Sequence, residues 1–255
     1  MSKIFAKPLG MLLNFIYGVV NSIGLDFKYC SAYAIAIIVT TIIFKFIILP
    51  LSLKQMKSMK EMQKIQPMLK ELQKKYKNDA QTLNIKTMEL YKEHKVNPFG
   101  SCLPLLIQFP IIIGFFTALR NPDIYVASYN TIINKAFFWI NDIGAAPNQV
   151  VDGVLNGLNL GFDIPFIGSA IPILALLAAA TTFMQSKLMS NTGAVADEKA
   201  MATQKTMNTF MPVMIFFFAL SFPAGLTLYW IVGNIFQIVQ QYLINLPKKE
   251  LGGIE

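Results

Sequence analysis

The chain has 255 residues, 54% of them hydrophobic and only 14% charged, yet its formal net charge is +8. Soluble domains carry roughly 25% charged residues, and a mean hydropathy of +0.49 excludes both a soluble globular enzyme and a disordered basic tail. What remains is an all-α polytopic membrane protein with its charges gathered in a few places.

Residues 1–30 come first. Their apolar run, 9–23, is about 15 residues long against the roughly 20 needed to cross a bilayer. It predicts an N-terminal interfacial amphipathic helix, with a cleaved signal segment or a sixth span as the alternatives. Residues 31–53 form the first transmembrane helix, apolar from position 32 onward except for Lys45 and a few hydroxyls. A basic segment, 54–97, follows. Between positions 54 and 95 it holds eleven lysines against five acids, a net of +6. Met56, Met59, Met62, Leu69, Leu72 and Tyr76 recur mostly every three or four residues, and Leu83, Met88 and Tyr91 resume the pattern after the turn at Asn78-Asp79-Ala80. That spacing predicts a helical hairpin, whose first helix Pro67 should bend or break.

Residues 98–246 form a transmembrane core of four helices: 99–119, about 165–186, a short one ending near Phe222, and 225–244. The turn Ser221-Phe222-Pro223-Ala224-Gly225 separates the last two. The total is five transmembrane helices, with residues 247–255 left as a short tail. The loop 120–163 carries a net charge of −2, so the lysine bias puts the hairpin in the cytoplasm, the N-terminus outside and the C-terminus inside. Cys30 and Cys102 then lie on opposite sides, and two cysteines are too few for a disulfide framework or a metal site.

Two residue sets carry candidate chemistry. Lys45 lies deep in the first span, where a charge costs about 2.5–3.5 kcal/mol, and no span contains a carboxylate to pair with it. It must snorkel or face water. Thr41 lies one turn earlier on the same face, while Trp230, Asn234, Gln237 and Gln241 stack along the last span at spacings of 4, 3 and 4. Gln108 sits within the second span, and Thr181, Thr182 and Gln185 gather in the third. Interhelical hydrogen bonding accounts for such residues in one way; a hydrophilic groove open to the cytoplasm and to lipid accounts for them in another. The hairpin likewise has two readings. It is a solvated basic element that fixes topology, or a receiving surface. In the second case Met56, Met59 and Met62 repack on apolar partners while Lys57, Lys60 and Lys64 attract anionic lipid or ribosomal RNA.

Residues 30–245 resemble the YidC/Oxa1/Alb3 family of membrane protein insertases, in the short bacterial form. The resemblance rests on Ile47-Ile48-Leu49-Pro50-Leu51, Gln66-Pro67, Val96-Asn97-Pro98, Pro104-Leu105-Leu106-Ile107-Gln108-Phe109-Pro110, Phe222-Pro223-Ala224-Gly225-Leu226 and Leu228-Tyr229-Trp230, in that order. It implies a multi-pass protein of the bacterial plasma membrane that inserts and helps fold short hydrophobic clients through an inner-leaflet groove. Lys45 stands where bacterial relatives usually carry Arg, which keeps the charge and loses the fork geometry. Thr41, Tyr229 and Trp230 match client-contact positions. The expected partners are nascent membrane proteins and the Sec translocon, with anionic lipids and the ribosome met through the hairpin lysines. Ribosome binding through a long basic C-terminal tail is not carried over, since Lys248 and Lys249 stand against Glu250 and Glu255, and no specific DNA is expected. No ATP, cofactor, metal or enzymatic step is expected. A translocon-associated assembly factor is the alternative. A small transporter calls for membrane carboxylates or an internal repeat, and an intramembrane hydrolase for a catalytic set, whereas the one histidine, His94, lies in the hairpin.

Overall fold

The computed structural model describes residues 2–96, 103–190 and 198–245. It is mostly helical: α1 (Ser2–Ser22), α2 (Ala32–Lys75), α3 (Ala80–Glu93), α4 (Leu103–Arg120), the single turn α5 (Pro122–Tyr125), α6 (Ile173–Ser190), α7 (Glu198–Ser221) and α8 (Ala224–Asn245). Among the described residues, 4–22 and 32–62 are long and apolar enough to cross a membrane. The apolar stretches 109–120, 173–188 and 208–221 are shorter.

Three departures from the sequence expectation stand out. The first span and the first hairpin helix are one 44-residue helix, α2, that runs through both Pro50 and Pro67. Pro67 does not break it. That residue lies on the exposed side, so Ile65 and Leu69 keep their inward register. Second, α6 begins at Ile173, because residues expected to open the third span belong to a β-hairpin, β3 (Asn159–Ile164) with β4 (Gly168–Ala170). Third, a smaller hairpin precedes it, β1 (Val150–Val151) with β2 (Val154–Leu155). Its turn is Asp152-Gly153, both at positive φ (51° and 78°), the pairing that matches the twist of flanking strands.

α1 packs along α4 and the start of α2. Leu9, Leu13, Ile16 and Val20 face the core, and a Cβ on Gly114 would meet Phe5 and Leu9 at 2.8 Å, so α4 admits α1 only because that position is glycine. Asn14 accepts a hydrogen bond from the Ser128 amide (2.9 Å), tying α1 to the loop after α4. Farther along, α6 packs against α7 and α8, and α8 against α2.

The loop end supplies caps to two helices. Asp26 accepts from the Ala32 amide (2.8 Å) and the Ser31 hydroxyl from Ala34 (3.2 Å) at the start of α2. The carbonyls of Ala145 and Ile143 accept from Ala224 and Gly225 (2.9 and 2.7 Å) at the start of α8. These groups satisfy helix amides that have no intrahelical partner. The opposite end is simpler. There α3 folds back on α2 through Met62, Ile65 and Leu69 against Tyr91 and Val96. Asp79 caps α3 by accepting from the Thr82 amide (3.0 Å) and hydroxyl (2.5 Å), which holds its carboxyl below the usual range.

Candidate functional site

Lys45 lies on α2 thirteen residues after its start, roughly 20 Å along the helix axis at 1.5 Å per residue. It is only 5% exposed. Its alkyl chain passes over Gly233 of α8, where a Cβ would come within 3.3 Å of Cε and 3.6 Å of Nζ. Any larger side chain at 233 would compete with Lys45 for that space. Among the described residues no carboxylate or hydrogen-bond acceptor partners the ammonium group. Thr41, one turn earlier, is fully buried and returns its hydroxyl to the Ile37 carbonyl (2.6 Å). The adjacent Thr40 hydroxyl is buried and has no partner among the described residues.

The polar face of α8 is turned mainly toward α6. The Thr182 hydroxyl accepts from Trp230 Nε1 (3.1 Å) and from Asn234 Nδ2 (2.9 Å), while donating to the Ala178 carbonyl (2.7 Å). Asn234 also reaches Thr181 (3.3 Å), and Gln185 donates to Gln237. Each such interhelical bond is worth about 0.6 kcal/mol in a membrane. Gln241 is buried. Gln108 falls in α4, but its side chain lies outside the described residues.

A second face of α8 meets α2 and α4. Tyr229 stacks on Phe115 of α4, with ring centroids 4.2 Å apart and planes at 17°. Phe236 meets Phe46 edge to face at 5.3 Å, and Gln240 donates to the Ser52 hydroxyl (2.6 Å). Lys60 donates to the Ile244 carbonyl (2.6 Å) in the last turn of α8, a favourable place for a cation on a helix dipole. The helices therefore gather the candidate residues into two neighbouring sets around α8: Thr41 and Lys45 on one side, Thr182, Gln185, Trp230, Asn234 and Gln237 on the other.

Sequence reasoning did not single out Gly233, Ser52, Gln240 or Phe115. Gly233 and Gln240 each sit next to a residue of the polar stripe, and one helical step separates the face toward α2 from the face toward α6. In the hairpin, Lys57 and Lys64 are exposed and Met56 half-buried, whereas Met59 and Met62 are buried, Met62 in the hairpin's own small core. Among the described residues, the large apolar side chains that the hairpin exposes are Met68, Ile85 and Met88.

A family model described as 60Kd inner membrane protein matches residues 25–250. The chain is 39% identical over 244 residues to the protein named membrane protein insertase YidC of Pelobacter propionicus, covering 95% of this chain and 38% of that protein. It is 41% identical over 217 residues to the protein of that name from Fusobacterium nucleatum, covering 85% of this chain and 88% of the relative. With the one from Caldanaerobacter subterraneus the identity is 35% over 248 residues, covering 97% of each. The chain thus spans less than half the length of the Pelobacter relative and nearly all of the two shorter ones.

Proposed function

The chain belongs to the YidC/Oxa1/Alb3 family, and from that premise we propose that it is a membrane protein insertase working without ATP, cofactor or covalent step. The single observation that carries this reading is Lys45: an ammonium group enclosed among helices, with no carboxylate beside it among the described residues. A buried unpaired charge is expensive. It is tolerable where water or an incoming anionic group can reach it, and an acidic segment of a client supplies such a group.

In the proposed topology α2, α4, α6, α7 and α8 are the five spans, the α2–α3 hairpin is cytoplasmic, and the loop end faces outside. The lysine distribution supports that orientation. α1 is the outer interfacial helix, since Asn14 is bonded to the loop beyond α4. The groove is bounded by α2 and α8 around Lys45 and by the α6–α8 seam, whose side-chain bonds between Thr182, Trp230 and Asn234 are each weak enough to part for a client. Clients, ribosome, Sec translocon and anionic lipid are the proposed partners. A client's polar segment is sheltered in the groove while its apolar segment partitions into lipid, each buried CH₂ contributing about 0.8 kcal/mol.

The test is reconstitution of the purified chain in liposomes with a single-span client bearing an acidic tail, without translocon or nucleotide. Wild-type protein inserts the client, and Lys45→Ala lowers insertion by about tenfold, equivalent to about 1.4 kcal/mol. Undiminished insertion by Lys45→Ala overturns the charge role. A strict requirement for added translocon favours the assembly-factor reading instead.

A further inference from the structure

The β3–β4 hairpin presents apolar side chains in a way that burial in this chain does not explain. Phe166 at its tip is 93% exposed and Phe162, on β3, is 64% exposed. Phe166 also holds a left-handed backbone (φ 68°), a conformation that bulky side chains rarely adopt without surrounding constraint. The constraint is visible. The Asn148 side chain donates to the Ile167 carbonyl (2.5 Å) and accepts from the Ala170 amide (2.9 Å), Asp163 and Ser169 are bonded to each other, and Ile167 closes the turn on Ile164 (3.0 Å). The tip is braced to display its aromatic ring.

Its position identifies what the ring meets. Ile164, Pro165, Phe166 and Ile167 share one open cleft with Leu220 and Ser221, the last residues of α7. The tip therefore stands at the height where α7 ends. α7 itself exposes Phe210, Val213, Phe217 and Phe218 along its length, the face a spanning helix turns to acyl chains. The apolar tip lies beside the end of that helix. No lysine or arginine occurs between Lys135 and Lys187, and the acids of that stretch include Asp163 on the hairpin, so the surface suits a neutral apolar phase and not an anionic polymer.

We propose that the β3–β4 hairpin is an outer-leaflet anchor, its Ile164–Gly168 tip lodged in the interfacial zone of the bilayer beside the end of α7. Phenylalanine on an otherwise polar element buries readily at the boundary of headgroups and acyl chains. The anchor would hold the loop that caps α8 at a fixed depth. The proposal rests on the topology above, in which the loop end is outside, but not on insertase activity.

The experiment uses the full chain with Cys30 and Cys102 replaced by serine, a single cysteine at Phe166 or at Asp152, and an environment-sensitive fluorophore, in phosphatidylcholine vesicles. The label at 166 is expected to emit to the blue of the label at 152. Nitroxides placed just below the lipid headgroup should quench it severalfold more strongly, and iodide severalfold less. Equal iodide quenching at the two sites overturns the anchor. So does a label at 166 shielded from iodide yet untouched by the nitroxide lipid, which would indicate a protein contact. Modification of cysteines at 152 and 57 by an impermeant reagent tests the topology separately: labelling from one and the same side defeats the topology, whatever the depth reading.

Discussion

At the loop end, fully buried Asn156 donates through Nδ2 to the carbonyls of Asp142, Ala145 and Ala146 (2.8, 3.2 and 3.2 Å) and accepts from the Asp142 amide (2.6 Å). At the hairpin end the ion pair Lys86–Glu89 is exposed, and the core between α2 and α3 is a cluster of five buried residues. One end is locked by short polar contacts that also cap α2 and α8. The other has a thin apolar seam and a few ties to α8. The contrast suits a division of labour in which the loop end fixes helix positions and the hairpin opens and closes at small free-energy cost.

Three substitutions probe that contrast. Asn156→Ala strands several buried backbone groups at about 1–3 kcal/mol each, so a loss of about 3 kcal/mol is expected, read as a lower thermal midpoint of the detergent-solubilised protein. A midpoint near wild type would remove the loop end's claim to rigidity. Leu69→Ala deletes a 2%-exposed side chain and should cost about 2–3 kcal/mol. The loss should fall on the hairpin alone, seen as faster amide exchange in α3 with the midpoint almost unmoved. Exchange rising equally through α6 and α8 would mean that the two ends melt together. Lys60→Met removes the bond to Ile244 and should cost about 0.5–1 kcal/mol, appearing as a modest rise in exchange in the last turn of α8 and in α2 beyond Ser52. No change there would show that the clasp adds nothing to the seam.

Much of this architecture is legible in the chain because membrane helices announce themselves by apolar length. The break at Phe222-Pro223 and the turn at Asn78-Asp79 follow directly from the residues. The continuity of α2 does not, because a composition change from isoleucine to lysine looks like a boundary whether or not the backbone turns. The β1–β2 hairpin carries a readable signal, Val-Asp-Gly-Val, easily lost in a sequence rich in valine and isoleucine. Met62 is harder. A methionine stripe has the same spacing whether it faces a client or, as here, the partner helix of its own hairpin. The two faces of α8 pose the same problem, since spacing fixes which residues align and not which neighbour they meet.

The clasp between Ser52 and Gln240 joins positions 188 residues apart. At synthesis rates of about 5–20 residues per second, α2 leaves the ribosome roughly 10 to 40 s before α8 exists to receive it. During that interval Lys45 lacks Gly233 and Lys60 lacks the end of α8. The nascent chain is thus itself a hydrophobic protein with an unsheltered lysine in its proposed first span, the kind of substrate a finished copy is proposed to handle. On the proposed reading, copies already in the membrane would also insert new ones, and a cell depleted of them would lose new copies along with the proposed clients.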